Sequence, residues 1–154
     1  LIEFLYSTGA RVTEACTIKI EDVNFDKGEV VLFGKGSKHR TSYLSAKATL
    51  HLIEYLVSRT DQSEYLFVSE RKPHNGLKKE AIERVVRNIG KRSGIGRDLF
   101  PHLLRHTVAT DMLRKNTPIT DVQKMLGHEN VNTTMVYAKT CDEDVKNSHR
   151  KSVA

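Results

Sequence analysis

The sequence predicts an α+β fold: a mainly helical domain with a small three-stranded antiparallel sheet at one side. Three observations lead there. Apolar residues recur at helical spacing across residues 46–59, 77–93 and 102–115. Between residues 18 and 44 the pattern changes to short β-branched runs separated by glycine-bearing turns. The chain's 154 residues, 38% hydrophobic and 29% charged, suit one globular domain able to bury a real core.

Taken in order, residues 1–7 read as the end of a helix closed by the turn Ser7-Thr8-Gly9-Ala10, and Thr13 starts a short helical turn with Glu14, Ala15 and Cys16. Arg11, between them, reads either as a solvated loop charge or as a fixed, inward-facing group beside a core helix. Residues 23–25 and 29–33 pair across the turn Asp26-Lys27-Gly28. A second turn, Gly34-Lys35-Gly36-Ser37-Lys38, leads to a third strand at residues 40–44. Its tip carries Lys35, Lys38, His39 and Arg40. Most such tips are merely solvated, and GKGSK lacks the GxxxxGK[ST] spacing of a phosphate loop.

Residues 46–59 form a helix whose Leu50, Ile53, Leu56 and Val57 read as its buried stripe. Residues 66–68 read as a short buried segment, and residues 69–76 as a mobile polar loop. In the helix of residues 77–93, Ile82, Val85, Val86 and Ile89 face the core. Arg84, Arg87 and Lys91 make a basic row on another side, which reads equally well as solvent surface or as DNA contact. Pro101 opens the next helix, with Leu104, Val108 and Met112 inward. Thr117 and Pro118 read as N-cap and first helical residue of another. Its apolar side is Ile119, Val122, Met125 and Leu126, and Gly127 is its left-handed C-cap. Asn130 is expected to cap a short helix carrying Tyr137, and residues 142–154 form a polar tail.

Composition narrows the function classes. No apolar run approaches the roughly 18 residues of a membrane span, so no membrane role is expected, and no secretory signal is visible. Cys16 and Cys141 are too few and too far apart for a disulfide framework or a cysteine zinc site, which suits a reducing cytoplasm. A net charge of +6 and a pI of about 9.4 favour a polyanionic partner. The chain opens at Leu1 inside a predicted helix, without an initiator Met, and is expected to be part of a longer protein.

The densest chemistry lies in residues 101–139, which hold His102, Arg105, His106, His128 and Tyr137. His102 and His106 have the helical spacing of a zinc pair, but the residues between them are Leu-Leu-Arg, without the HExxH glutamate and with a cation beside the would-be metal. No metal is expected. No Ser-His-Asp hydrolase motif appears either. Phosphoryl transfer fits better. Attack on a phosphodiester builds negative charge on the non-bridging oxygens, which permanently charged guanidinium forks such as Arg11 and Arg105 can grip bidentately. A tyrosine placed beside guanidinium and imidazole groups reaches its phenolate more readily. A lysine on a hairpin tip can protonate the departing alkoxide.

These residues carry a resemblance. TGARVTEA, the lysine of GKG, HLLRH, LGH, and Tyr137 nine residues after His128 follow one another as they do in the tyrosine recombinases, the phage integrase family. The match runs from Leu5 to Lys139. It implies that residues 1–154 are the catalytic domain, without the family's N-terminal core-binding domain. It implies that Arg11 and Arg105 clamp a scissile phosphate of double-stranded DNA, with His102 and His128 hydrogen-bonding it. Lys35 is the implied general acid for the 5′-hydroxyl, with Lys38 its nearest rival. Tyr137 is the implied nucleophile, forming a 3′-phosphotyrosyl link that stores the bond energy, so no cofactor is required. His106 is read as a helix-packing residue. Lys38, Arg40, Arg84, Arg87 and Lys91 are the further expected DNA contacts, and a homotetramer on DNA is implied for the full-length protein. Two other readings stand beside the site-specific recombinase or integrase. One is a type IB topoisomerase, which shares the catalytic set. The other is an accessory DNA-binding module without catalysis, against which the intact six residues argue.

Overall fold

The computed structural model describes residues 1–34, 38–128 and 134–135. Among them lie helices α1 (Ile2–Thr8), α2 (Val12–Thr17), α3 (Ala46–Ser58), α4 (Lys79–Arg92), α5 (Pro101–Arg114) and α6 (Ile119–Leu126). The strands are β1 (Val23–Asn24), β2 (Glu29–Phe33) and β3 (His39–Tyr43). They form one antiparallel sheet in the order β1-β2-β3, with Leu32 opposite Arg40 and Val30 opposite Ser42. The α+β reading holds, with the sheet in the expected place.

Strand periodicity decides what the sheet buries. Val30, Leu32 and Ser42 are buried, so Arg40, opposite Leu32, shares their inward face. Ser42 is satisfied there, its hydroxyl donating to the Thr8 carbonyl at 2.8 Å. The core joins this face to α1 through Phe4 and Leu5, to α3 through Leu52, to α4 through Ile82 and Val86, and to Leu66 and Phe67 between those helices. Phe4 and Phe67 meet edge to face with centroids 5.1 Å apart. A second cluster, Ala109 with Val122 and Leu126, seals α5 against α6.

Two local expectations shift. The buried face of α3 is Ala48 and Leu52, while Leu50, Ile53 and Val57 are exposed and only Leu56 of the expected stripe is partly buried. Two apolar rows run along this helix, and periodicity alone could not choose between them. Pro118, not Thr117, occupies the N-cap of α6, so the helix starts one residue later than read. The loop of residues 69–76 is closed on itself: Ser69 N donates to Asn75 O at 2.9 Å, His74 N to Arg71 O at 3.0 Å, and Val68 bridges Gly76. The expected Tyr137 helix with its Asn130 cap, and the 142–154 tail, lie outside the described residues.

Ile82 is fully enclosed where α4 meets the core. Ile82→Ala is therefore expected to lower the unfolding free energy by about 2–5 kcal/mol. Val57→Ser, on the exposed row of α3, should stay within about 0.5 kcal/mol of the parent. Urea titration checks both, and a loss well above that in Val57→Ser would place the outer row of α3 inside.

Candidate active site: a guanidinium-lined cleft

The site begins at a helix start. Arg11 is the N-cap of α2, and Glu14, three residues on, folds back so that its Oε2 accepts from Arg11 N at 2.8 Å. The same carboxylate takes Arg11 Nη1 on Oε1 at 3.0 Å and Arg40 Nη2 on Oε2 at 3.0 Å. Glu14 is buried, so one carboxylate inside the protein orients two guanidinium groups. Arg11 also reaches across the cleft, donating from Nη2 to Gly127 O at 3.1 Å.

Arg105 comes from the first turns of α5, whose start is set by Pro101 at a position that needs no N–H. It is 3% exposed. Its Nη1 donates to Gly9 O, and its Nη2 donates to Leu126 O at 2.6 Å and to His128 Nε2 at 3.0 Å. These three acceptors are uncharged and aim the fork. A guanidinium only donates, so His128 Nε2 is the acceptor and Nδ1 carries the proton. That proton points at Thr134 Oγ1, 2.9 Å away. Burial first, then the nearby cations Arg105, Arg11 and Arg40, lower the His128 pKa to about 4, so its ring is neutral at pH 7. Gln123 holds the His128 backbone at both ends, donating to its carbonyl at 3.0 Å and accepting from its N–H at 3.2 Å.

Two glycines make this closeness feasible. Gly9 ends α1 with φ of 57°, and a Cβ there would lie 2.7 Å from the Leu126 side chain. Gly127 ends α6 with φ of 64°, and a Cβ there would lie 2.5 Å from Arg40 Cδ. Both positions need left-handed backbone and bare space.

Arg11, His102, Arg105 and His128 thus line one cleft of about 470 Å³, together with Val12 and Phe100. Lys35 and Tyr137 lie outside the described residues. Lys38 is exposed at the foot of the hairpin, where its carbonyl accepts from Gly34 N at 2.7 Å. Arg84, Arg87 and Lys91 are exposed along α4. His106 is half-buried, with Nδ1 3.4 Å from Thr110 Oγ1, and is not among the cleft's lining residues.

Arg40 departs from the expectation of an outward hairpin cation. Its side chain is 11% exposed, and its guanidinium donates to Met125 O, to Gly9 O at 3.4 Å and to Glu14. Strand alternation turns it inward under the two motif glycines, where it braces the cleft from behind. The sequence reading also passed over Lys79 and Glu83 of α4, which line the cleft, and over Glu14 and Thr134. Only Glu14 had a visible signal, the three-residue spacing of a capping box from Arg11.

Among the described residues no group of three or more His, Cys, Asp and Glu side chains is placed to hold a metal ion. No helix among them is long and apolar enough to cross a membrane. Among the described residues, Arg11, Arg40, Arg105 and Lys79 stand against Glu14 and Glu83, which leaves the cleft and its surround cationic, with the neutral His128 imidazole beside the forks. Guanidinium forks of this kind have the geometry to pair with two oxygens of a tetrahedral oxyanion.

This fold and its guanidinium-lined cleft have a counterpart in a known protein family. The description Phage integrase family matches residues 1–144, and the chain belongs to that family. Over 148 residues it is 40% identical to Tyrosine recombinase XerA of Pyrococcus furiosus, covering 95% of this chain and 51% of that protein. It is 30% identical to Tyrosine recombinase XerD of Listeria innocua, covering 98% of this chain and 52% of that one. The chain spans about half the length of the curated relatives it matches. A crystal structure of XerA recombinase superposes with a TM-score of 0.86 at 33% identity, over 97% of this chain and 56% of the other. A post-cleavage complex of XerH site-specific recombinase on a palindromic difH substrate gives 0.81 at 28% identity, over 96% of this chain and 43% of that one.

Two measurements test the electrostatics. Glu14→Ala leaves two guanidiniums without their buried counter-charge, and a loss of about 3–5 kcal/mol in unfolding free energy is expected; a loss under about 1 kcal/mol would contradict the bracing role. The His128 pKa is depressed from 6.5 to about 4, so between those values the unfolded chain binds more protons than the folded one. The stability owed to neutral His128 is therefore complete above pH 6.5 and is lost as pH falls toward 4. In urea titrations, the advantage of the parent over His128→Gln should shrink on acidification through that window; a pH-independent gap would refute the shift.

Proposed function

We propose that this chain is the catalytic domain of a site-specific DNA recombinase, which breaks and rejoins strands through a 3′-phosphotyrosyl intermediate. The carrying observation is the convergence of Arg11, His102, Arg105 and His128 on one cationic cleft. The scissile phosphodiester enters as the anion opposite Arg11 and Arg105. Arg11 and Arg105 hold its non-bridging oxygens and stabilise the extra charge of the pentavalent transition state. His102, exposed at the start of α5, and His128 add hydrogen bonds.

In this reading the Tyr137 phenolate attacks phosphorus, forming the new P–O bond as the P–O bond to the 5′-oxygen breaks. The leaving alkoxide takes a proton from Lys35, or from Lys38 if geometry favours it. A 5′-hydroxyl of the partner strand later attacks the phosphotyrosine and returns the phenolate. The step is a transesterification, so bond energy is conserved and no cofactor enters. A cleaved-DNA complex of a similar recombinase supports the reading.

The exposed row Arg84, Arg87 and Lys91 would track the DNA backbone, with Lys38 beside it. Arg40 would act from behind, by bracing the hairpin. An N-terminal core-binding domain would close the other side of the duplex, and a homotetramer on DNA would present partner strands to one another. The expected compartment is the cytoplasm, where DNA and reduced thiols coexist.

A nicked suicide substrate, which traps the covalent intermediate, is the direct test in the full-length protein. The parent should form a protein–DNA adduct and Tyr137→Phe none; an adduct that survives the substitution would sink the nucleophile assignment. Arg105→Lys keeps the charge but loses the fork, and cleavage should slow by about 10²–10³-fold. Lys35→Ala should recover on a 5′-thio leaving group, which needs no general acid; recovery by Lys38→Ala instead would move the role there.

A further inference from the structure

Phe100 is a large aromatic that the fold leaves 45% exposed between two buried neighbours, Leu99 and Pro101. Leu99 packs so tightly on α4 that a Cβ at Gly90 would lie 2.5 Å from Leu99 Cβ. The extended backbone of Phe100, with φ of −147° and ψ of 157°, turns its side chain the other way. The Phe100 carbonyl accepts from Leu103 N at 3.0 Å and from Leu104 N at 3.4 Å, so the first turn of α5 pins its backbone. One exposed phenylalanine is ordinary on a protein surface. This one lines the cleft that holds Arg11, His102, Arg105 and His128. Neither the motif reading nor the family resemblance gives it a role.

The cleft's phosphate-binding groups come with apolar neighbours. Arg11 stands between Ala10 and Val12, His102 follows Phe100 and Pro101, and all six line the cleft. Lys79 and Glu83 of α4, with 3.9 Å between their charged atoms, join Arg105 and His128 in its polar lining. A free oxyanion is polar all round and leaves such apolar surface wet. A phosphodiester differs, because its bridging oxygens join it to sugar rings that present carbon-bound hydrogens. In a duplex the bases stack on one another, and the sugars are the apolar surface nearest the phosphate. A phenylalanine ring carries no hydrogen-bonding group, so it covers the carbon face of a sugar equally well at any base sequence.

We infer that Phe100, with Val12 and Pro101 of the same cleft, is a substrate-binding residue that seats the deoxyribose adjoining the phosphate held by Arg11 and Arg105. The contact is sequence-neutral. It positions the phosphate between the forks without reading the DNA. The inference rests on the recombinase reading only in taking that sugar to be part of a DNA strand.

Two probes of equal charge, methyl phosphate and methyl deoxyriboside 5′-phosphate, test the sugar contact in NMR titrations of the DNA-free protein. The parent should bind the sugar phosphate about four- to fifteenfold more tightly, the worth of one or two buried CH2 groups. Phe100→Ala should lose that gap with its affinity for methyl phosphate unchanged, and Phe100→Tyr should keep it. A gap that is the same in the parent and in Phe100→Ala overturns the inference. So does loss of methyl phosphate binding in Phe100→Ala, which would make the ring a structural support of the cleft. Single-turnover cleavage by the full-length protein tests the contact on DNA. A propyl spacer replacing the adjoining nucleoside, on one side of the scissile phosphate, should slow the parent about tenfold, while an abasic sugar there should not. Phe100→Ala should be slowed to a similar degree on the natural substrate and no further by the spacer. Spacers on both sides that slow Phe100→Ala as much as the parent overturn the inference, as does a natural-substrate rate in Phe100→Ala equal to the parent's. A parent that shows the sugar gap but forms no adduct would overturn the recombinase reading and leave the sugar seat standing.

Discussion

The buried carboxylate of Glu14 is the constraint on which the site depends. Burying an ion pair is worthwhile only when the geometry is good and further hydrogen bonds satisfy both carboxylate oxygens. Glu14 meets both conditions by accepting from a backbone N–H and from two guanidiniums. Its charge answers only part of what surrounds it. Arg40 is spent on bracing, Arg11 is shared between Glu14 and the cleft, and Arg105 is held by neutral acceptors. Among the described residues, positive charge is therefore held where Arg11 and Arg105 line the cleft.

The fold delivers that arrangement through helix ends. The acceptors of the three arginines include Gly9 O at the end of α1 and the carbonyls of Met125, Leu126 and Gly127 at the end of α6. Carbonyls in a last turn lack intrahelical partners and carry the negative end of the dipole, so cations suit them. Bringing two such ends together needs close packing. Ala109, on α5, is small enough for α6 to approach through Val122 and Leu126. Tyr6 donates to Asp111 at 2.7 Å and fastens α1 to the same helix. The core thus works as the alignment of the cleft, and Thr134 Oγ1, 2.9 Å from His128 Nδ1, adds one more fixed contact.

Much of this was legible in the sequence because the punctuation was strong. Gly9, Gly28 and Gly127 mark turns or helix ends at backbone conformations that few other residues adopt, and the hairpin runs between them read directly. The order of the arginine, histidine and tyrosine motifs carried the family. What escaped was the direction of side chains. The α3 helix has apolar residues on two rows, and only the tertiary packing selects Ala48 and Leu52. Arg40 looked like a surface cation because its neighbours are polar, yet Ser42 two residues on is buried and fixes the parity of the strand. Glu14 shows its capping-box spacing from Arg11, but its contact with Arg40 and that of Thr134 with His128 are set by tertiary packing and have no local pattern.

Because the guanidiniums rest on main-chain carbonyls, the anchoring of the cleft is written in the count of residues rather than in their identity. The side chains of Met125 and Leu126 serve packing, while their oxygens serve the arginines, and the two duties are separable. A changed side chain leaves the oxygen where it was. One residue added to α6 would instead rotate every following carbonyl by about 100° and carry it about 1.5 Å along the axis, turning the acceptors from the forks. Helix length is in this sense a ruler, and drift in the sequence around the cleft is tolerated only so long as the ruler keeps its measure.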